Sequence, residues 1–188
     1  MTTPRITSRR GPSAPEQIET ERLLLRRPGA GDALPIFDRY ASDPDVTRYL
    51  SWPRHTALDD TMVFLGFSDA EWRHWGCGPY LAFTRDEHRL VGSTGLAFES
   101  PGVAQTGYLL ARDSWGLGYA TEILMTMTDL ARSLGVVRLY AVCHLETLAS
   151  RHVLEKCGFV SEGILRRHIV FPNLSPYRTH VACYSRAF

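Results

Sequence analysis

Between Arg112 and Glu122 the chain reads Arg-Asp-Ser-Trp-Gly-Leu-Gly-Tyr-Ala-Thr-Glu, and this stretch carries the clearest chemistry in the sequence. It follows an apolar, strand-like run and opens a segment of helical periodicity. Gly116 and Gly118 permit a tight backbone turn and the close approach of a ligand. The first-turn amides of a helix have no partners within it and sit at its positive end. Loop and helix start together suit an anion such as a diphosphate, with plain turn chemistry as the alternative. Thr121 stands where a G-x-G-x-x-G dinucleotide loop needs its third glycine, and there is no Gly-Lys-Ser/Thr for a P-loop.

The elements that must position this loop follow from period and punctuation. Residues 17–27 alternate and meet Pro28, which predicts one strand. Asp32 can cap a helix carrying Leu34, Phe37 and Tyr40. Residues 58–75, with Met62, Phe64, Leu65, Trp72 and Trp75, read as one or two helices. Strand-like runs at 80–84, 90–98 and 105–111, separated by short turns, predict an antiparallel meander. Ala120, Ile123, Leu124, Met127, Leu130, Ala131 and Leu134 then recur at helical intervals, and Gly135 stops them. Residues 137–142 form a strand, and 147–157 a second helix with Ala149, Val153 and Leu154 inward. Residues 159–171 and 177–184 make a closing hairpin. Strand, helix, strand, helix and strand after an antiparallel start predict an α+β domain with a mixed sheet covered by helices.

At 188 residues the chain holds little more than one domain. Residues 1–15, with Arg5, Arg9 and Arg10 among Ser, Thr, Gly and Pro, are expected to be a disordered leader. They lack the apolar stretch of a secretory signal. Residues 16–188 are expected to be a single domain. Apolar residues make up 44% and charged residues 22%, ordinary globular usage. Lys plus Arg is 21 and Asp plus Glu is 20, a net charge of +1, which argues against a nucleic-acid binder. It says nothing against a small anionic ligand held at a local site. No apolar run is long enough for a membrane span. Cys77, Cys143, Cys157 and Cys183 form no CxxC pair and have no histidine at ligand spacing, so no metal is expected. Free, mostly buried thiols fit a cytoplasmic protein.

The stretch from Trp115 to Glu122 resembles the acetyl-CoA loop of the GNAT N-acetyltransferases, particularly the RimJ/RimL-like branch that acetylates ribosomal proteins. Three further stretches match in order. Glu19-Thr20-Glu21-Arg22-Leu23-Leu24-Leu25-Arg26 resembles the opening strand of that branch, and Gly107-Tyr108-Leu109-Leu110 its central strand. The run from Thr147 through Ser150 to Gly158-Phe159 resembles its second CoA-contacting helix. The likeness spans about residues 17–186. It implies a mixed, mostly antiparallel central sheet with helices on both faces, in which parallel strands at 105–111 and 137–144 splay apart. The pantetheine arm of acetyl-CoA is then expected to bond the backbone of Leu109, Leu110 and Ala111 like an added strand. Its diphosphate is expected on the amides of Leu117, Gly118, Tyr119, Ala120 and Thr121, with Thr147 and Ser150 completing the cofactor set. Ser150 would face the CoA sulfur, and Arg112 or Arg151 the 3′-phosphate. Tyr119 and Glu122 read as structural.

The implied activity is direct acetyl transfer, in a ternary complex, to a primary amine: a protein N-terminal α-amine or a small molecule. A backbone N–H of the central strand would polarise the acetyl carbonyl. No His-Asp arrangement is legible beside Cys143 for a covalent relay. A homodimer is left open, and a non-catalytic acyl-CoA sensor of the same fold is the alternative. Two residues depart from the family pattern. Thr147 stands where an Asn is common, and Gln105 where relatives carry Glu just before the Gly-Tyr pair. Gln accepts no proton, so Glu99, His144 and Glu146 become the base candidates, acting directly or through water. An α-amine, with a pKa of about 7.7–8.0, needs roughly 3.4 kcal/mol less deprotonation than a Lys side chain at about 10.4. A site without a strong base therefore suits an α-amine. The acceptor pocket is expected from residues 52–75 and the tip of the last hairpin, with Trp52, Trp72, Trp75, Phe171 and Tyr177 as its apolar wall.

Overall fold

Alternating apolar positions build strands along most of the chain, and in the computed structural model, which describes residues 13–188, all of them join one sheet. The strands are β1 (Gln17–Glu19), β2 (Leu23–Arg26), β3 (Pro79–Thr84) and β4 (Leu90–Ser100). They are followed by β5 (Val103–Leu110), β6 (Arg138–His144), β7 (Val160–Val170) and β8 (Arg178–Ala187). Their spatial order is β1-β2-β3-β4-β5-β6-β8-β7. Every neighbouring pair is antiparallel except β5 and β6. Those two run parallel through only three pairs: Val103–Arg138, Ala104–Leu139 and Gln105–Tyr140. Beyond Gln105 they part. β5 stays with β4 as far as Leu110, and β6 stays with β8 as far as His144.

Among the described residues five α-helices cover the two faces of the sheet: α1 (Ala33–Ile36), α2 (Pro44–Thr47), α3 (Leu58–Trp75), α4 (Tyr119–Ser133) and α5 (Leu148–Lys156). The helical period of α4 turns Ile123, Leu124 and Met127 inward, all fully buried, against Leu139 of β6 and Leu154 of α5. Each such side chain contributes about 1.5–3 kcal/mol by leaving water. A second, smaller cluster joins Ile36, Tyr40 and Val46 to Leu81 and Phe83 of β3. This is the mixed, helix-covered sheet that the resemblance implies.

Several local expectations change. Residues 17–27 are two strands, because the Thr20 hydroxyl accepts from the Leu23 N–H at 2.9 Å and the Thr20 N–H donates to the Leu23 carbonyl at 2.9 Å. That turn folds β1 back on β2. Asp32 does not cap α1; its carboxylate accepts from the Gly29 N–H at 2.7 Å and holds Arg26 at 2.7 Å. Leu34 and Ala149 are exposed, whereas Val153 and Leu154 pack inward. The end of the expected leader belongs to the domain: Ala14 is buried and donates its N–H to Gly76 O at 2.8 Å, and the Tyr80 hydroxyl donates to Pro15 O at 2.6 Å. The rest of that leader, residues 1–12, lies outside the described residues. All four cysteines are free. No helix among the described residues is long and apolar enough to cross a membrane.

Candidate active site

Where β5 and β6 part, each offers an edge that no neighbour bonds. Hydrogen-bond direction alternates along a strand, so one edge of β5 can be read from the other. Ala111 donates its N–H to Val91 O at 2.8 Å, and Gly107 O accepts from Thr94 Oγ1 at 2.7 Å. The Leu109 carbonyl stands where a Cβ on Gly92 would be. Odd-numbered residues of β5 therefore turn to β4, and Thr106, Tyr108 and Leu110 face the gap. Leu109 and the N–H of Ala111, expected to bond a pantetheine arm, face β4, and the Ala111 carbonyl accepts from the Ser114 N–H at 2.9 Å. Leu110 faces the gap, but its carbonyl already accepts from Trp115 Nε1 at 2.9 Å. The register of β4 decides this.

The glycine-rich loop closes one end of the gap. Gly116 and Gly118 have φ of 74° and 82°, the left-handed region that favours glycine. Gly118 precedes α4, and the first intrahelical bond is Glu122 N to Gly118 O at 3.3 Å. The amides of Tyr119, Ala120 and Thr121 thus fall in the first turn, where no intrahelical carbonyl reaches them. Gly118, Ala120 and Thr121 line the groove. Leu117 and Tyr119 turn outward to Arg22, whose Nη1 donates to Leu117 O at 2.8 Å and whose guanidinium lies 4.7 Å from the Tyr119 ring centre. Glu122 accepts from the Thr20 hydroxyl at 2.6 Å, the Arg22 N–H at 2.9 Å and Arg22 Nε at 2.7 Å. Burial by itself would raise its pKa, but these donors outweigh it and hold the carboxyl below its ordinary value. Two stretches a hundred residues apart thus meet in one clamp. Arg112 pairs with Asp45, and Arg151 donates from Nε to the Tyr184 hydroxyl at 3.1 Å. Both arginines are committed to protein partners.

The groove has a volume of about 1550 Å³ and continues through the gap to a chamber walled by Tyr49, Trp52, Val63, Phe67 and Phe171. Asn173 builds the wall by bonding the carbonyls of Thr47 and Trp52 at 2.7 and 3.0 Å and accepting from the Arg54 N–H at 2.8 Å. The other expected aromatics lie elsewhere. Trp72 is buried and donates to Pro79 O, Trp75 stacks on Phe98 at 5.9 Å, and Tyr177 is exposed outside the groove.

His144 and Glu146 come together at the mouth of the gap. The His144 ring stacks on Tyr49 at 4.8 Å and meets Phe171 edge-on at 5.2 Å. Its Nδ1 accepts the Glu146 N–H at 3.2 Å. That hydrogen bond assigns the proton of the neutral ring to Nε2, so the free nitrogen is a donor. Glu146 accepts from the Tyr49 hydroxyl at 2.8 Å. Glu99 is not brought into the groove: it sits behind Tyr140, whose hydroxyl donates to it, while Gln105 Oε1 lies 3.3 Å from the same hydroxyl. Ser150 and Thr147 do line the groove. Thr147 does not cap α5 with its side chain; its hydroxyl donates to His144 O at 2.6 Å and pins the turn. Burial pushes the Cys143 thiol up, away from the thiolate that a covalent relay needs. Sequence spacing did not flag Tyr49, Asn173 or the Tyr108 hydroxyl, because each reaches the site through packing.

A family model described as an acetyltransferase (GNAT) domain matches residues 22–160. An uncharacterized N-acetyltransferase of Bacillus subtilis (strain 168), YoaA, is 29% identical over 172 residues, 87% of this chain and 93% of that protein. Among solved structures, the ribosomal-protein α-N-acetyltransferase RimL in complex with coenzyme A has a TM-score of 0.81 at 21% identity, covering 92% of this chain and 98% of that one. The microcin C7 self-immunity acetyltransferase MccE, in complex with acetyl-CoA and AMP, has a TM-score of 0.81 at 18% identity, covering 93% and 97%.

Proposed function

The chain belongs to the acetyltransferase (GNAT) domain family and is an N-acetyltransferase, and from that premise we propose that it acetylates an α-amine at the expense of acetyl-CoA, by direct transfer in a ternary complex. The observation that carries this reading is the continuity of one groove. It joins first-turn amides suited to a diphosphate, an unbonded strand edge suited to pantetheine, and a chamber beyond the gap. Bound acetyl-CoA would supply the activated acyl group. The backbone of Thr106 and Tyr108 would hold its arm, the amides of Tyr119, Ala120 and Thr121 its diphosphate, and Ser150 would face its sulfur. RimL, by its name, acts on a protein α-amine, which supports a protein N-terminus as acceptor over a small molecule. We place the reaction in the cytoplasm, where free thiols persist.

Of the groove's titratable groups, Glu146 is the carboxylate best placed to take the proton of the amine, since the free nitrogen of His144 carries one already. About one α-amine in ten is already neutral one pH unit below its pKa, so a base there is worth about tenfold. Glu146→Gln is therefore expected to slow turnover about tenfold near pH 7 and to lose its deficit as pH rises past the amine pKa. A deficit that stays constant to high pH would remove Glu146 from proton transfer.

The acceptor reading is tested by release of free CoA with a panel of amines. Peptides with a free N-terminus are expected to outpace N-blocked peptides carrying Lys, and Gln105→Glu is expected to shift the pH–rate profile. Preference for Lys, or an unchanged profile, would sink it. Tight acetyl-CoA binding without turnover on any acceptor would identify a sensor.

A further inference from the structure

Tyr108 lies in β5, on the strand edge that borders the gap, and its ring packs against the main core. Its hydroxyl is buried and makes no hydrogen bond. Among the described residues two other buried hydroxyls share that condition, those of Tyr40 and Ser68, and of the three it is Tyr108 that neighbours Ser150, the residue proposed above to face the cofactor sulfur. Tyr108 and Ser150 line the same groove, and the Ser150 hydroxyl offsets part of the effect of burial on the phenol, although the phenol itself closes no hydrogen bond. Ser150 itself, in the first turn of α5, faces the groove. Along α4, by contrast, hydroxyls return to the backbone: Thr126 donates to Glu122 O at 2.8 Å and Thr128 to Leu124 O at 2.7 Å. Among the described residues Ser150 has no such bond. Two adjacent hydroxyls, one on the strand and one on the helix, are thus both left open at the mouth of the splay.

A buried donor with no partner is costly, and a native fold rarely keeps one without a use. The neighbour within reach is Ser150 Oγ. A hydroxyl that accepts one hydrogen bond donates a stronger one, because chains of hydrogen bonds polarise each other. We propose that Tyr108 is a positioning residue for Ser150, donating its phenolic hydrogen bond to Ser150 Oγ and so aiming the Ser150 hydroxyl at the sulfur of the CoA thioester. The inference rests on the acetyl-CoA reading above. In the transfer a C–N bond forms as the C–S bond breaks, the electron pair goes to sulfur, and the proton of the amine leaves through Glu146 to solvent. Ser150 donates its hydrogen bond to the growing negative charge, Tyr108 donates its own to Ser150 Oγ, and both keep their protons. Burial pushes the Tyr108 phenol up to about 12, which suits a group that donates and never ionises.

Tyr108→Phe removes the hydroxyl and keeps the ring. Because that hydroxyl is unpaired in the free protein, the variant is expected to unfold at the same temperature as wild type or higher. With acetyl-CoA its kcat is expected to fall about tenfold while the KM for acetyl-CoA stays within about twofold, the size of one hydrogen bond to a charged group. Ser150→Ala is expected to lose at least as much, and the double variant no more than Ser150→Ala alone, since Tyr108 acts through Ser150. Calorimetric binding gives a second readout: wild type is expected to prefer CoA over desulfo-CoA about tenfold, and Tyr108→Phe to lose that preference. Multiplicative losses in the double variant, an unchanged kcat, or equal weakening toward CoA and desulfo-CoA would each overturn the proposal while leaving the cofactor reading intact. Failure of wild type to bind either compound would overturn both.

Discussion

Ala120→Asp is expected to weaken CoA binding on the order of 100-fold while leaving the fold in place. Ala120 is the second residue of α4, is half-buried, and lines the groove beside the free amides of the first turn. A carboxylate about 4 Å from a phosphate costs about 4 kcal/mol at the effective dielectric of a protein surface, and salt removes part of that. The same carboxylate is welcome to the helix, where an acidic residue in the first turn contributes about 0.3–1 kcal/mol. Stability and affinity therefore separate. Thermal unfolding should move by no more than about 4 °C, and calorimetric titration with CoA should show the loss, shrinking at high ionic strength. A Kd within threefold of wild type would take these amides out of the cofactor site.

Glu122→Ala is expected to cost about 2 kcal/mol of folding stability, and a chain of this length should then unfold about 4–8 °C lower. The carboxylate satisfies three donors on the turn between β1 and β2, all at 2.9 Å or less. Removing it strands the Thr20 hydroxyl, the Arg22 amide and the Arg22 guanidinium together. A fully buried pair would cost about 3–5 kcal/mol, but Arg22 is 44% exposed and part of the loss is recovered by water. The pH dependence has a definite sign. The folded pKa of Glu122 is depressed, so its contribution is complete above the unfolded value of about 4.3 and disappears as pH falls through the folded one. Urea unfolding of wild type and variant at pH 7 and at pH 3 should show two curves that converge in acid. Curves equally far apart at both pH values would mean that the charge of Glu122 contributes nothing.

Much of the architecture was legible because it rests on period. The helical recurrence from Ala120 to Leu134 places Ile123, Leu124 and Met127 inward, as found, and Gly135 ends the helix with φ of 78°. The strands of the meander and the closing hairpin follow alternation and turn residues in the same way. Period fails where a side chain interrupts it. Thr20 breaks an unbroken-looking strand by bonding Leu23, and Asp32 is drawn from its expected cap by Arg26. The aromatic wall was half legible: Trp52 and Phe171 line the chamber, but Trp72 and Trp75 sit on the same helix as Phe67 and turn away from it.

The sequence by itself determined the conformation of the glycine-rich loop and the free amides that follow it. Glycine's freedom at positive φ and the unpaired amides of a first helical turn are local properties, complete within Gly116 to Glu122 and independent of what packs around them. The tertiary structure alone decided which edge of β5 faces the gap, since that depends on the register of β4, and it turns the backbone of Thr106 and Tyr108, not that of Leu109, to the gap. It also decided which carboxylate reaches the groove. Glu99 is held behind Tyr140, whereas Glu146 is drawn to the groove mouth by a tyrosine nearly a hundred positions earlier in the chain. Contacts of that kind depend on where packed elements meet, and spacing along the chain carries no record of it.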